Sequence, residues 1–87
     1  MPEWKYVLDQ KALEFFISKR GAVRSQLTRA FLDLVSYPMQ HGLWRGRDEF
    51  GRDVDIGLFG NFLIHYWVDL VVKEVRIVDI ERAPRLN

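Results

Sequence analysis

The 87-residue chain has no cysteine, which excludes a disulfide framework and any zinc–thiolate centre. Net charge is nearly absent too, at +1; with 48% hydrophobic residues the chain is too apolar and too weakly charged for disorder, so it should fold. The longest apolar run, Phe62 to Val72, is broken by His65 and Asp69 and is far shorter than the ~18 residues of a membrane span. Met1-Pro2-Glu3-Trp4 lacks the basic-then-apolar pattern of an export signal. These absences predict one small, soluble domain of the cytoplasm, with no membrane association. At this length only roughly 60–65% of the unfolded surface is buried. The core is thin, and a partner covering apolar surface would add to stability.

Charge is unevenly distributed. Residues 1–47 hold eight Lys/Arg against four Asp/Glu, and residues 48–87 hold five against eight, giving +4 and −3. Only the first part carries the basic footprint typical of nucleic-acid binders.

Trp4 to Leu8 alternates and is rich in β-formers, predicting a first strand. Asp9 is a natural cap for the helix that follows, in which Leu13, Phe16 and Ile17 recur at helical spacing and Gly21 is a stop. Val23, Leu27, Ala30, Phe31 and Leu34 predict a second helix over 22–36, ended by Pro38. Residues 39–48 show little periodicity and are expected to be a loop. Three strands follow. Val54, Ile56 and Leu58 alternate with Asp53, Asp55 and Gly57; Gly60-Asn61 is a hairpin turn; 62–68 and 73–80 are the next two. Phe62, Ile64, Tyr66 and Val68 are assigned to the core face, with Val54, Ile56, Leu58, Val75 and Ile77. Leu63, His65 and Trp67, with Asp53 and Asp55, are assigned to the open face. Val78 and Ile80 break the alternation, which suggests a bulge. The tail from Ala83 is expected to be loose. The fold class is α+β: β-α-α-β-β-β, a two-helix hairpin packed on an antiparallel sheet, one domain over 1–87.

This order now carries a resemblance. A basic second helix with Val23-Arg24-Ser25-Gln26-Leu27, a proline loop, Gly51-Arg52, Gly60-Asn61-Phe62-Leu63-Ile64-His65-Tyr66, an acidic turn and Glu74-Val75-Arg76-Ile77-Val78-Asp79-Ile80 resemble the RelE/ParE superfamily of type II toxin–antitoxin toxins. The resemblance spans about residues 4–82. It implies a toxin neutralised by a cognate antitoxin, as in growth inhibition and plasmid stabilisation. The target would be the ribosome and its mRNA or DNA gyrase, and the assembly a homodimer or a toxin–antitoxin hetero-oligomer. RelE-like ribonucleases bring lysines from the second strand, an arginine from the third, and a C-terminal Arg with Tyr or His. Here the matching positions are Asp53 and Asp55 (or Asp55 and Gly57), Leu63, and Arg82 with no Tyr or His after it.

Cleaving RNA through its 2′-hydroxyl needs a base, a cation for the developing charge and an acid at one phosphate. Two carboxylates there would repel the phosphate, which favours a toxin that binds and inhibits its target. The alternatives are a ribosome-dependent endoribonuclease with an atypical set of Arg47, Arg52, His65 and Arg82, in which His65 and Arg82 are the catalytic candidates, and an inactive relative serving as an antitoxin-binding or regulatory module. Trp44, Arg45, Arg47, Arg52, Trp67 and Arg76 are candidate contacts to nucleic acid or target. Each has a plainer explanation as strand or loop surface, as do Lys19, Arg20, Arg24 and Arg29 on the helices. A metal held by Asp53, Asp55 and His65 is conceivable on adjacent strands, but neither metal nor cofactor is expected.

Overall fold

A computed structural model describes residues 4–39 and 42–84. The order is β1 (Lys5–Leu8), α1 (Gln10–Ile17), α2 (Gly21–Ser36), β2 (Trp44–Arg47), β3 (Asp53–Phe59), β4 (Phe62–Asp69) and β5 (Glu74–Arg82). The sheet has five strands in the order β1-β5-β4-β3-β2. It is mixed, because β1 runs parallel to β5 while all other neighbours are antiparallel. The α+β class and the two-helix layer agree with expectation. The expected three-strand meander gains an edge strand, since Trp44-Arg45-Gly46-Arg47 pairs with β3 where a loop is predicted.

Helix α1 turns Ala12, Phe15 and Phe16 inward, and Leu13 and Ile17 to solvent, so the predicted stripe is rotated by one position. Asp9 occupies the N-cap without a side-chain cap bond; its carboxylate instead meets Arg76 at 3.2 Å. Gly21 does not stop α1. It opens α2 with φ +58°, a left-handed entry that a Cβ would penalise. Arg24 closes the helical hairpin, donating to the carbonyl of Ile17 at 3.1 Å and lying over Phe16. The expected α2 stripe is the buried one: Leu27, Ala30, Phe31 and Leu34.

The helices lie over β1 and β5, and Phe62, Ile64 and Tyr66 of β4 complete the core beneath them. Strands β3 and β2 extend past that cover. Gly60, with φ +59°, makes a two-residue turn that sets Phe59 against Phe62. Every further pair in this hairpin follows by counting: Leu58 faces Leu63, Gly57 faces Ile64, Ile56 faces His65, Asp55 faces Tyr66. Directly opposed residues share a face. Ile56 and Leu58 therefore lie on the open face and Asp55 on the helix side, opposite to the expected assignment. Val54 is buried, but outside the core beneath the helices.

The predicted bulge is present. Tyr66 pairs with Ile77 but His65 with Asp79, leaving Val78 as the extra residue. Strict alternation from Ile77 would bury Asp79 and Glu81 and expose Ile80. The bulge buries Ile80 instead and returns both carboxylates to the open face, avoiding the cost of unpaired charge in the core. Asp69 shapes the β4–β5 turn, its carboxylate accepting from the N–H of Val71 at 3.1 Å. The Ala83 N–H donates to the Asn61 carbonyl at 2.8 Å, so the tail begins tied to the sheet; residues 85–87 lie outside the described part.

Candidate functional site

The face of the sheet away from the helices carries three zones, laid out by the pairing of β2 to β5. At one end Arg52 stacks over Trp67 with 4.5 Å between guanidinium carbon and ring centroid, and Arg76 lies 6.0 Å from the same ring. Arg76 is further held by Glu74 at 3.3 Å and Asp9 at 3.2 Å. The Trp67 ring is thus occupied by arginine rather than open to a nucleobase. Its indole N–H is buried without a hydrogen-bond partner among the described residues. Arg76 acts here as a tie between β5 and the start of α1.

In the middle, His65 Nε2 is 2.7 Å from Glu81 Oε2, and Asp79 holds Lys11 at 3.2 Å. The Lys11 ammonium is pushed above its usual pKa by its hydrogen bond and charge interaction with Asp79, with smaller contributions from Glu49 and Glu81. At the other end, Trp44, Ile56, Leu58 and Leu63 form an apolar groove, closed by His65, Glu81, Ala83 and Pro84.

Arg45 and Arg82 are on the opposite side. Arg45 pairs with Asp55 at 3.4 Å on the helix-side overhang of β2 and β3. Arg47 pairs with Asp53 at 3.5 Å at the end of β2 and lines one pocket with Lys11, His65 and Asp79. Such exposed pairs contribute about 0–1 kcal/mol each, but each arginine has a carboxylate beside it. Arg82 opposes Phe62 and stacks on its ring at 5.3 Å, so the sheet separates it from His65. The conceivable Asp53–Asp55–His65 metal set is likewise split between faces. Two residues absent from the sequence-based candidates, Asp79 and Glu81, are the ones that meet His65. The bulge signal at Val78 and Ile80 could have located them. Tyr66, fully buried, is pushed up to about 12 by burial and, secondarily, by the charge of Asp55. It stays a neutral phenol at working pH.

No protein-family model and no curated protein matches the sequence. Solved structures do match. A RelBE toxin–antitoxin complex from Mycobacterium tuberculosis gives a TM-score of 0.75 at 16% identity, over 94% of this chain and 99% of the matched one. The archaeal RelE–RelB complex from Pyrococcus horikoshii gives 0.68 at 14%, over 99% and 100%. The isolated RelE toxin of E. coli gives 0.66 at 15%, over 95% and 87%. The two-helix hairpin on its five-stranded mixed sheet is the fold of the RelE toxins.

Proposed function

We propose that this chain is the cytoplasmic toxin of a type II toxin–antitoxin pair, and that it acts by binding and inhibiting a target in translation or DNA topology. Supporting the first part, the likeness to RelE toxins covers nearly the full length of both chains, and the matched structures include complexes with an antitoxin. The apolar groove suits such a partner, because a segment laid along it would remove Trp44, Ile56, Leu58 and Leu63 from water.

The observation that favours inhibition over cleavage is the charge around His65. A base for the 2′-hydroxyl works only with cations at the same phosphate, yet the groups beside His65 are Glu81 and Asp79. Arg45 and Arg82 lie across the sheet from it, and Arg52 is stacked on Trp67. The cations that share its pocket, Lys11 and Arg47, each sit beside a carboxylate, Asp79 and Asp53. Removing even one positioned donor commonly lowers a rate by 10²–10³-fold.

Induction should arrest growth, and co-expression of an adjacent antitoxin gene should restore it. Mapping mRNA ends and assaying gyrase supercoiling after induction separates the branches. Arrest without new cuts supports inhibition. One contact favours the second reading: Glu81 orients the His65 imidazole as a carboxylate orients a general base. Ribosome-dependent cuts that vanish with His65→Ala would establish that ribonuclease. Normal growth on induction, with neither activity, would point to an inactive relative.

A further inference from the structure

We propose that His65, Asp79 and Glu81 form a binding site for a divalent transition metal of the zinc class, on the open face of the sheet. Three observations converge. One ligand atom from each residue lies within 4.8 Å of the other two. The donor set, one imidazole nitrogen with carboxylate oxygens, suits zinc and its neighbours more than magnesium, which prefers oxygen alone. Tetrahedral metal–ligand bonds of about 2.0–2.2 Å set ligand atoms roughly 3.4 Å apart, so the wider separations must close by about 1 Å while His65 Nε2 and Glu81 Oε2, now 2.7 Å apart, must open. Glu81, half exposed at 52%, has room for that movement, while His65 is held at 17%.

The site is also built into the backbone. The unpaired Val78 places Asp79 directly across from His65 and Glu81 one residue pair further along, and bulges concentrate beside functional sites. Without it both carboxylates would face the helices. The cluster already holds a cation, since the Lys11 ammonium sits 3.2 Å from Asp79. Lys11 is 60% exposed on a flexible stem and can yield its place to an ion of higher charge. The metal would occupy His65 Nε2 in place of the hydrogen bond to Glu81, with its remaining positions open towards solvent. That occupancy is incompatible with His65 serving as a free base, and it holds whether or not the protein is a toxin.

The test uses the purified full chain after chelator treatment, with Zn²⁺, Co²⁺ and Mg²⁺ as probes. Zn²⁺ at about a hundredfold over its Kd should raise Tm by roughly 11–22 °C, and Mg²⁺ should not. Co²⁺ should give a visible ligand-field band that fixes the presence of an imidazole and carboxylate set. Asp79→Asn and Glu81→Gln, which keep the shape of each side chain, should abolish both signals while leaving the metal-free Tm within a few degrees. His41→Gln, removing the only other imidazole, should change neither, and Lys11→Met should tighten binding several-fold. A wild-type chain with no shift and no band overturns the assignment. So does a shift that survives Asp79→Asn and Glu81→Gln or disappears with His41→Gln.

Discussion

Ile64→Ala and Leu58→Ala remove comparable side chains from neighbouring strands, yet the sheet places them on opposite faces. Ile64 is fully buried among Phe31, Tyr66 and Ile77 of the core cluster, whereas Leu58 is 45% exposed at the rim of the open groove. Truncating a buried Ile or Leu costs about 2–5 kcal/mol through lost transfer energy and the cavity left behind. For Ile64, taking ~3 kcal/mol, the melting temperature falls by roughly 12–24 °C, since each kcal/mol shifts a domain this small by ~4–8 °C. A chain of this length has only about 4–13 kcal/mol of total stability, so the loss is a large share of it. Leu58→Ala should cost about 1 kcal/mol or less, because much of its surface is already in water. Thermal melts and urea titrations on the two variants measure the difference directly, with an unchanged urea slope confirming that the unfolded state is not the source. Equal losses, or a larger one at Leu58, would refute the register set by the Gly60 turn and return Ile56 and Leu58 to the core.

Three further outcomes follow from the same faces. Tyr66 is protonated in the fold up to about 12 but ionises near 10 when unfolded, so stability should be level below pH 10 and fall between pH 10 and 12, by about 1.4 kcal/mol per unit; Tyr66→Phe should flatten that limb, and an unchanged limb would show another group to be responsible. Because the sheet lies between His65 and Arg82, His65→Ala and Arg82→Ala should add in stability to within ~0.5 kcal/mol, and a double-mutant coupling well above that would mean they share a site. Leu63→Glu, on the groove floor, should leave Tm within a few degrees but weaken rescue by a co-expressed antitoxin; undiminished rescue would place the antitoxin elsewhere.

Much of the fold was legible because its signals were local. The α2 stripe, the Gly60-Asn61 turn, the Asp69 turn and the break at Val78 each depend on a few adjacent residues, and each is where the pattern puts it. Strand β2 was not legible. Trp44-Arg45-Gly46-Arg47 has no apolar alternation, and what holds it is backbone pairing to β3 with Arg–Asp pairs across the strands. Such an edge is written in its partner rather than in itself. On α1, Leu13 and Ile17 look like core by size, but eight residues crossing β5 present only one narrow stripe. Phe15 and Phe16 fill it with larger surfaces.

The candidate site was misplaced for a different reason: two valid rules disagreed in β3. Binary patterning puts Val54, Ile56 and Leu58 inward, whereas a two-residue turn at 60–61 forces Phe59 opposite Phe62 and Gly57 opposite Ile64. The turn prevails because it is covalent geometry with one solution, while an apolar residue on the open face loses only its burial, and a partner can restore that. The same choice exposes Ile56 and Leu58 and moves Asp53 and Asp55 away from His65, where they pair with Arg47 and Arg45. An apolar strip turned to water and a set of carboxylates taken from one face to the other are thus one event. The bulge in β5 then supplies that face with Asp79 and Glu81, so the acidic character expected beside His65 is present, carried by different residues. A sequence pattern that sacrifices burial on β3 to keep this turn is what a surface built for a partner would look like.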